Sequence, residues 1–389
     1  MIQNGKEQKN MGKLQLMFLA FILISLFLHG NAGRKDRNHF KNLFPGKAES
    51  KNRILYLDYI RLIATVFVIL VHCLDSSSLS LLKNRGTWVA VQSLIAILFV
   101  CNTLFIMNSG ALILNRKEGP LASFYYKRFI QVAIPFFCYY GIYILLSSQY
   151  FTSGFLNGII RAGKDMLAGP IDWAPHLWVI YVILSLYILA PFFSILLKHL
   201  PDALLHGLAA LILIFRCLAV YLPAAGLPVN VQLMISPWEG VFLLGYYFAH
   251  PASFSRRRLF LGLGGVSLIG TVLCVIYRED YKAILLADGA PMMILLAGSI
   301  FLLLRLAEAR LPVPGRVMGF LIRYSYSVLL VHWAVLYFVR ERLAVTQNPV
   351  LTFGLVLIFS APAAFFFDQT VVYCVQSLFQ ALARLVRKR

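Results

Sequence analysis

Apolar runs of membrane-spanning length recur along most of the chain, at 54–74, 88–114, 129–150, 176–197, 203–222, 230–250, 259–277, 284–304, 320–340 and 350–380. The hydrocarbon core of a bilayer takes about 20 apolar residues per helical crossing, and backbone groups inside it must be satisfied within their own helix. The runs therefore predict an all-α, polytopic membrane protein with about ten transmembrane helices around a polar cavity. The second and last runs are long enough to be tilted or kinked. With 60% hydrophobic and 13% charged residues, and a mean hydropathy of +0.75, the chain of 389 residues is too apolar for a soluble domain of that length.

The net charge of +20 would suggest nucleic acid in a soluble protein. Here most Lys and Arg fall in short loops between the runs, so no nucleic-acid partner is expected. One side would carry Arg34 to Arg53, Arg116, Lys117, Lys127, Arg128, Lys198, Arg256 to Arg258, Arg305, Arg310, Arg316 and the tail from Arg384. The other side has only Lys83, Arg85, Arg161, Lys164, Arg278, Lys282, Arg340 and Arg342. Positive-inside asymmetry then places both ends of the ten-span core in the cytoplasm.

Two units are expected: an N-terminal segment over 1–52, ending in a basic cytoplasmic linker, and a ten-span membrane domain over 53–389. The stretch Leu14–Leu28 admits several readings: an extra span, an interfacial helix, or a leader with Gly30-Asn31-Ala32 as its cleavage site. Cleavage there would leave the basic 33–53 stretch outside, against the charge asymmetry. The outward loop 151–175, rich in Gly and Pro, can pack as a short re-entrant or interfacial piece over the cavity mouth. Six cysteines, all within or at the ends of apolar runs and without CxxC spacing, indicate neither a disulfide framework nor a zinc site.

Scans for HExxH, a Walker-type phosphate loop and GxSxG find none. Gly262-Leu263-Gly264 resembles the start of a dinucleotide fingerprint, but it lies inside a span, where close helix packing explains it better. The informative residues are polar groups at depth. Arg61 and His72, eleven residues apart, share one helical face across about three turns, or roughly 16 Å of rise. Asp58, Thr65 and Val68 continue their row, and Asp75 follows one turn after His72. A guanidinium at such depth costs roughly 2.5–3.5 kcal/mol on insertion scales, so Arg61 should line a protein interior or a wet cavity.

Other polar groups carry two readings each. His332, in the middle of the ninth span, is a substrate contact or an interhelical hydrogen-bond partner. His176, beside Trp178 at the outer entrance of the fourth, is a site residue or an interfacial anchor. Glu239, in the middle of the sixth, needs a partner or a proton, with Arg61, Arg216 and Arg323 as candidates. Asn108-Ser109-Gly110 would let backbones approach closely and expose amide donors, or would serve packing alone. Lys127 and Arg128, at the helix entrance before Pro135, suit a phosphate-bearing ligand, although Lys127 reads better as a topogenic anchor.

Leu57-Asp58-Tyr59-Ile60-Arg61-Leu62-Ile63-Ala64 followed by Val71-His72 resembles the opening signature of acyltransferase family 3, the membrane-bound O-acyltransferases of bacterial surface polysaccharides. Phe105 to Gly110, Phe124 to Pro135, His176-Leu177-Trp178 through Tyr187 and Pro191, Phe242 to Gly245, and Tyr324 to Ser327 with His332 resemble its later motifs, in the family's order over 53–340. The likeness is strongest to its standalone branch. The resemblance implies a multi-pass protein of the bacterial inner membrane. It also implies acyl-coenzyme A, usually acetyl-coenzyme A, as co-substrate with no bound cofactor or metal, and an acceptor hydroxyl on a glycan or lipid-linked precursor. On matched positions His72 is the essential histidine, Arg61 the essential arginine, and Arg128 the first of a cytoplasmic Arg-x-x-Arg pair. The second position is Gln131, which departs from the pattern.

The expected roles follow. His72 is the base that activates the acceptor hydroxyl, or carries the acyl group transiently, with Asp58 or Asp75 fixing its tautomer. Arg61 stabilises the oxyanion or guides the thioester. Arg128, Lys127, Asn108 and Ser109 serve the donor, while His176, Trp178, Glu239, His332 and Asp75 serve the acceptor. Two other classes share this profile: an exporter of a glycan or lipid-linked intermediate, although no pair of related halves is evident, and a non-catalytic partner of polysaccharide-assembly proteins.

Overall fold

The computed structural model describes residues 2–36, 38–43, 53–74, 84–116, 119–147, 150, 155–227, 236–343 and 348–387. Among them every regular element is helical. Eight helices are long and apolar enough to cross a bilayer: Leu55–Cys73, Arg85–Leu114, Leu121–Leu146, Pro175–Lys198, Asp202–Ala224, Pro251–Tyr277, Arg316–Glu341 and Pro349–Val386. The sixth and eighth expected spans are the shorter helices Pro237–Ala249, 13 residues, and Pro291–Leu306, 16 residues. At 1.5 Å per residue these rise only about 20 and 24 Å, less than the roughly 30 Å core of a bilayer. The count of ten full crossings is therefore not met by length.

Local chemistry sets the breaks. The second span is two helices, Arg85–Leu98 and Cys101–Leu114, joined by the turn at Phe99 and Val100. The third starts eight residues earlier than expected, because Leu121–Arg128 runs on through a π-helical turn, Phe129–Ala133, into Ile134–Leu146. Pro135 lacks an N–H and its ring crowds the carbonyl four residues back, so the preceding turn widens. Side chains from other helices use carbonyls of this turn: Tyr326 donates to Val132 at 2.9 Å and Gln376 to Ile130 at 2.8 Å. A second π turn, Asp368–Val372, interrupts the last span.

Each helix is labelled in chain order: α1 (Ile2–Lys35), α2 (Leu55–Cys73), α3 (Arg85–Leu98), α4 (Cys101–Leu114), α5 (Leu121–Arg128), α6 (Ile134–Leu146), α7 (Phe155–Ala168), α8 (Trp178–Lys198), α9 (Asp202–Ala224), α10 (Pro237–Ala249), α11 (Arg257–Tyr277), α12 (Pro291–Leu306), α13 (Arg316–Glu341), α14 (Pro349–Phe367) and α15 (Tyr373–Arg387). Large apolar side chains stay exposed along the bundle, among them Leu196, Ile214, Val266, Ile269, Ile358 and Phe366. Water would penalise such a surface and lipid accommodates it. The stretch 14–28 lies within α1, where buried His29 reaches the Gln369 carbonyl at 2.9 Å and stacks on Tyr373 at 4.1 Å.

Helices α4 and α10 pack backbone against backbone. A Cβ on Gly110 would sit inside the Phe242 carbonyl, and one on Gly245 inside the Met107 carbonyl, so both glycines are needed for the backbones to touch. Gly264 meets Ser299 in the same way, whereas Gly262 faces open space. Thus only one of the two glycines in the Gly262-Leu263-Gly264 stretch serves close packing.

Helix ends sort into two groups. At one end Arg53 pairs with Asp58, Glu308 accepts from Leu55 N–H, Lys198 reaches the Arg116 carbonyl, and Arg305 reaches the Phe248 and His250 carbonyls. At the other, Arg340 donates to the His72 carbonyl at 3.2 Å and Lys282 to Gln92 at 2.9 Å. There the Asn102 amide lies 3.2 Å from both Asp288 carboxylate oxygens.

Candidate active site

Three histidines from three distant segments meet at this second end. His72 lies in the last turn of α2, His332 lies in α13, and His176 lies in the 3-10 turn Pro175–Leu177 that leads into α8. Pro175 sets that turn, since its ring fixes φ for a helix start. In α13 the buried row Ser325, Val328, Leu329, His332, Val335 and Val339 has helical spacing and carries His332 into the core. The His332 ring centroid is 5.4 Å from His72 and 4.9 Å from His176. Trp333 closes the group, edge-on to His72 at 4.9 Å and stacked on His176 at 5.6 Å.

The hydrogen bonds fix two tautomers. His332 Nδ1 is 2.7 Å from the Leu329 carbonyl and His176 Nε2 is 3.3 Å from the Leu330 carbonyl. A carbonyl only accepts, so each of those nitrogens carries the proton. The opposite nitrogens, His332 Nε2 and His176 Nδ1, are then bare lone pairs, and both are buried without a hydrogen-bond partner. Two buried acceptors thus stand beside a third imidazole, and a buried acceptor without a donor is costly. Tyr143 braces the group from α6, donating to the Leu330 carbonyl at 2.7 Å, with its ring edge-on to His176 at 5.5 Å.

The shared Arg61–His72 face holds, since α2 is unbroken between them. Thr65 and Val68 are buried along it, and the Arg61 guanidinium makes no hydrogen bond or ion pair among the described residues. Three turns separate Arg61 from His72, about 16 Å. That exceeds the reach of an arginine side chain, so an oxyanion formed at His72 lies beyond Arg61.

Several expected placements are corrected. Asp58 pairs with Arg53 at the far end of α2, about 21 Å of rise from His72, and does not set that ring's tautomer. Asp75 lies outside the described residues. Glu239 sits in the first turn of α10, not mid-span, because the helix begins only at Pro237. It pairs with none of Arg61, Arg216 and Arg323, and its Oε2 is buried without a partner; Arg216 Nε instead donates to the Gly289 carbonyl at 2.9 Å. Next to Glu239, Trp238 meets Trp178 at 5.1 Å. The N–H groups of Asn108, Ser109 and Gly110 lie within α4 and serve the helix ladder, so no amide donors are exposed there, while the Asn108 Oδ1 is buried without a partner.

At the other end Arg128 is half-buried between the Phe124 and Tyr187 rings, 5.7 Å from each centroid, with its Nε buried and unpartnered. Lys127 and Gln131 are exposed. Arg116 is exposed at this end, where its carbonyl accepts from Lys198. Sequence reasoning missed Trp333, Tyr143, Arg340 and Arg116. The His332-Trp333 dipeptide and the i, i+4 pair Tyr139 and Tyr143 were available signals.

An apolar helical bundle with a buried imidazole cluster at one end and cations at the other defines a membrane-embedded protein with a polar site inside it. A family model described as an acyltransferase domain, acyltransferase 3, matches residues 54–368, and the chain belongs to that family: it is a membrane acyltransferase. Searches of curated proteins and of solved structures return no match.

Proposed function

We propose that the protein transfers an acyl group, as in acetyl-coenzyme A, from the cytoplasm to a hydroxyl of a surface glycan or its lipid-linked precursor at the bacterial inner membrane. The observation that carries this reading is the pair of bare, buried nitrogens, His332 Nε2 and His176 Nδ1, beside His72. They suit acceptor hydroxyls, which donate where the protein has only lone pairs to offer. His72 takes the proton of one hydroxyl, whose oxygen then forms a bond to the thioester carbonyl carbon. The C–S bond breaks, coenzyme A leaves as thiolate, and the thiolate recovers the proton from the imidazolium.

The cationic end faces the cytoplasm, following the charge asymmetry. Arg128 and Arg116 hold donor phosphates there, with the Arg128 plane kept in place by Phe124 and Tyr187. The thioester arm runs past Arg61 towards His72. Glu239 and the Trp178–Trp238 pair contact the acceptor.

The purified protein in nanodiscs, given radiolabelled acetyl-coenzyme A and a cell-envelope glycan extract, should produce a base-labile label on glycan; label that stays on coenzyme A refutes the assignment. Arg128→Gln should raise the Michaelis constant for acetyl-coenzyme A about ten-fold and leave that for glycan unchanged. An unchanged donor constant would make Arg128 a structural anchor.

A further inference from the structure

Trp173 and Tyr337 form a corner of exposed aromatic rings just outside the histidine cluster. Their centroids are 5.4 Å apart and their planes meet at 75°. Trp173 is 40% exposed and Tyr337 48%, among the most open aromatic side chains at this end of the bundle. Each is joined by a few residues to the site: Trp173 precedes buried His176 by three, and Tyr337 follows Trp333 by one helical turn.

The corner is rigidly held. Upstream of Trp173, the Gly169 carbonyl accepts from Tyr140 at 3.0 Å, and Tyr181 shares its single hydroxyl proton between the Met166 carbonyl at 2.6 Å and the Gly169 carbonyl at 3.0 Å. Gly169 sits at φ 146°, a conformation that favours glycine. Downstream, backbone bonds from Ala174 N–H to Ile171 and from Leu177 N–H to Ala174 close the turn that carries His176. Tyr337 is fixed on α13. A rigid aromatic pair binds with little loss of side-chain freedom.

The neighbours decide between lipid and water. Asp172, Glu341 and Arg342 are exposed beside the corner, and Arg340 lies one turn on from Tyr337 against the His72 carbonyl. Carboxylates beside both rings are costly in hydrocarbon and ordinary at an aqueous rim. By contrast α7, just before this segment, exposes Leu156, Ile160 and Leu167 along one face, as an interfacial helix does. The corner is therefore aromatic yet water-facing.

We infer that Trp173 and Tyr337 form a pyranose-binding subsite that holds the acceptor glycan while its hydroxyl reaches the histidines, an inference that rests on the acyl-transfer reading above. The C–H face of a pyranose ring is apolar and slightly positive, and it packs on the negative face of an aromatic ring. Two rings at 75° offer two such faces to neighbouring sugar units, while Asp172 and Arg340 supply hydrogen-bonding groups at the edge.

The test uses nanodisc-embedded protein, radiolabelled acetyl-coenzyme A and the cell-envelope glycan extract dosed by sugar content. Trp173→Ala and Tyr337→Ala should each raise the glycan KM about ten-fold, with kcat and the donor KM within about two-fold of the parent, the signature of lost uniform binding. Trp173→Phe and Tyr337→Phe should restore most of the glycan affinity. Unchanged glycan saturation in both alanine variants overturns the subsite while leaving acyl transfer standing. Proportionate loss of kcat and both KM values, not rescued by phenylalanine, shows a structural role and also overturns it. A parent protein that labels no glycan overturns the acyl-transfer reading itself.

Discussion

His72→Ala should lower the rate of acyl transfer by about a hundred- to ten-thousand-fold, the range expected when a positioned base is removed, while the protein keeps its fold in detergent. Of the three clustered imidazoles, His72 alone is half-open, whereas His176 and His332 are 6% and 0% exposed. Truncating it removes ring contacts to His332 and Trp333 at a position that is already partly open. His332→Ala is different: it empties a fully enclosed position and should destabilise the bundle as well as the activity. Turnover measured beside thermal unfolding in detergent separates the two. Full turnover in a folded His72→Ala protein would remove His72 from the mechanism.

Gly110→Ala should be among the most damaging small changes at the described residues, costing about 3 kcal/mol or more, the upper end for overpacking. The obstacle is the Phe242 backbone carbonyl, which cannot rotate away as a side chain can. Separating α4 from α10 would also shift Asn108 and Glu239, which sit on the two helices. Gly262→Ala is the control, since nothing lies within 4 Å of its added methyl. Thermal unfolding should fall sharply for the first and remain at the parental value for the second. Equal midpoints would mean that α4 and α10 do not touch through their backbones.

Much of the fold was legible because a bilayer imposes both length and period on a helix. The misreadings occur where local chemistry interrupts that pattern. The run 284–304 has one charged residue, Asp288, and there Asp288 and Gly289, at φ 72°, turn the chain before the helix can start at Pro291. The charges of Lys127 and Arg128 look like a helix boundary, but nothing breaks the backbone between Leu121 and the π turn. The Arg61–His72 row was readable from spacing alone, because it lies on one unbroken helix. The histidine cluster was not, since it joins residues 72, 176 and 332, and periodicity says nothing about which faces of distant helices meet. Likewise the ring of Tyr187 that flanks Arg128 comes from another helix, which spacing around Arg128 does not reveal.

In the proposed reaction the histidine end of the bundle receives an acyl group delivered from the cationic end. Inverted membrane vesicles carrying the parent protein or His72→Ala, supplied with radiolabelled acetyl-coenzyme A on the outside only, test it most directly. Label should appear on luminal glycan with the parent and not with the variant. Equal labelling by both, or unlabelled glycan crossing the membrane with no label transferred by either, would contradict it.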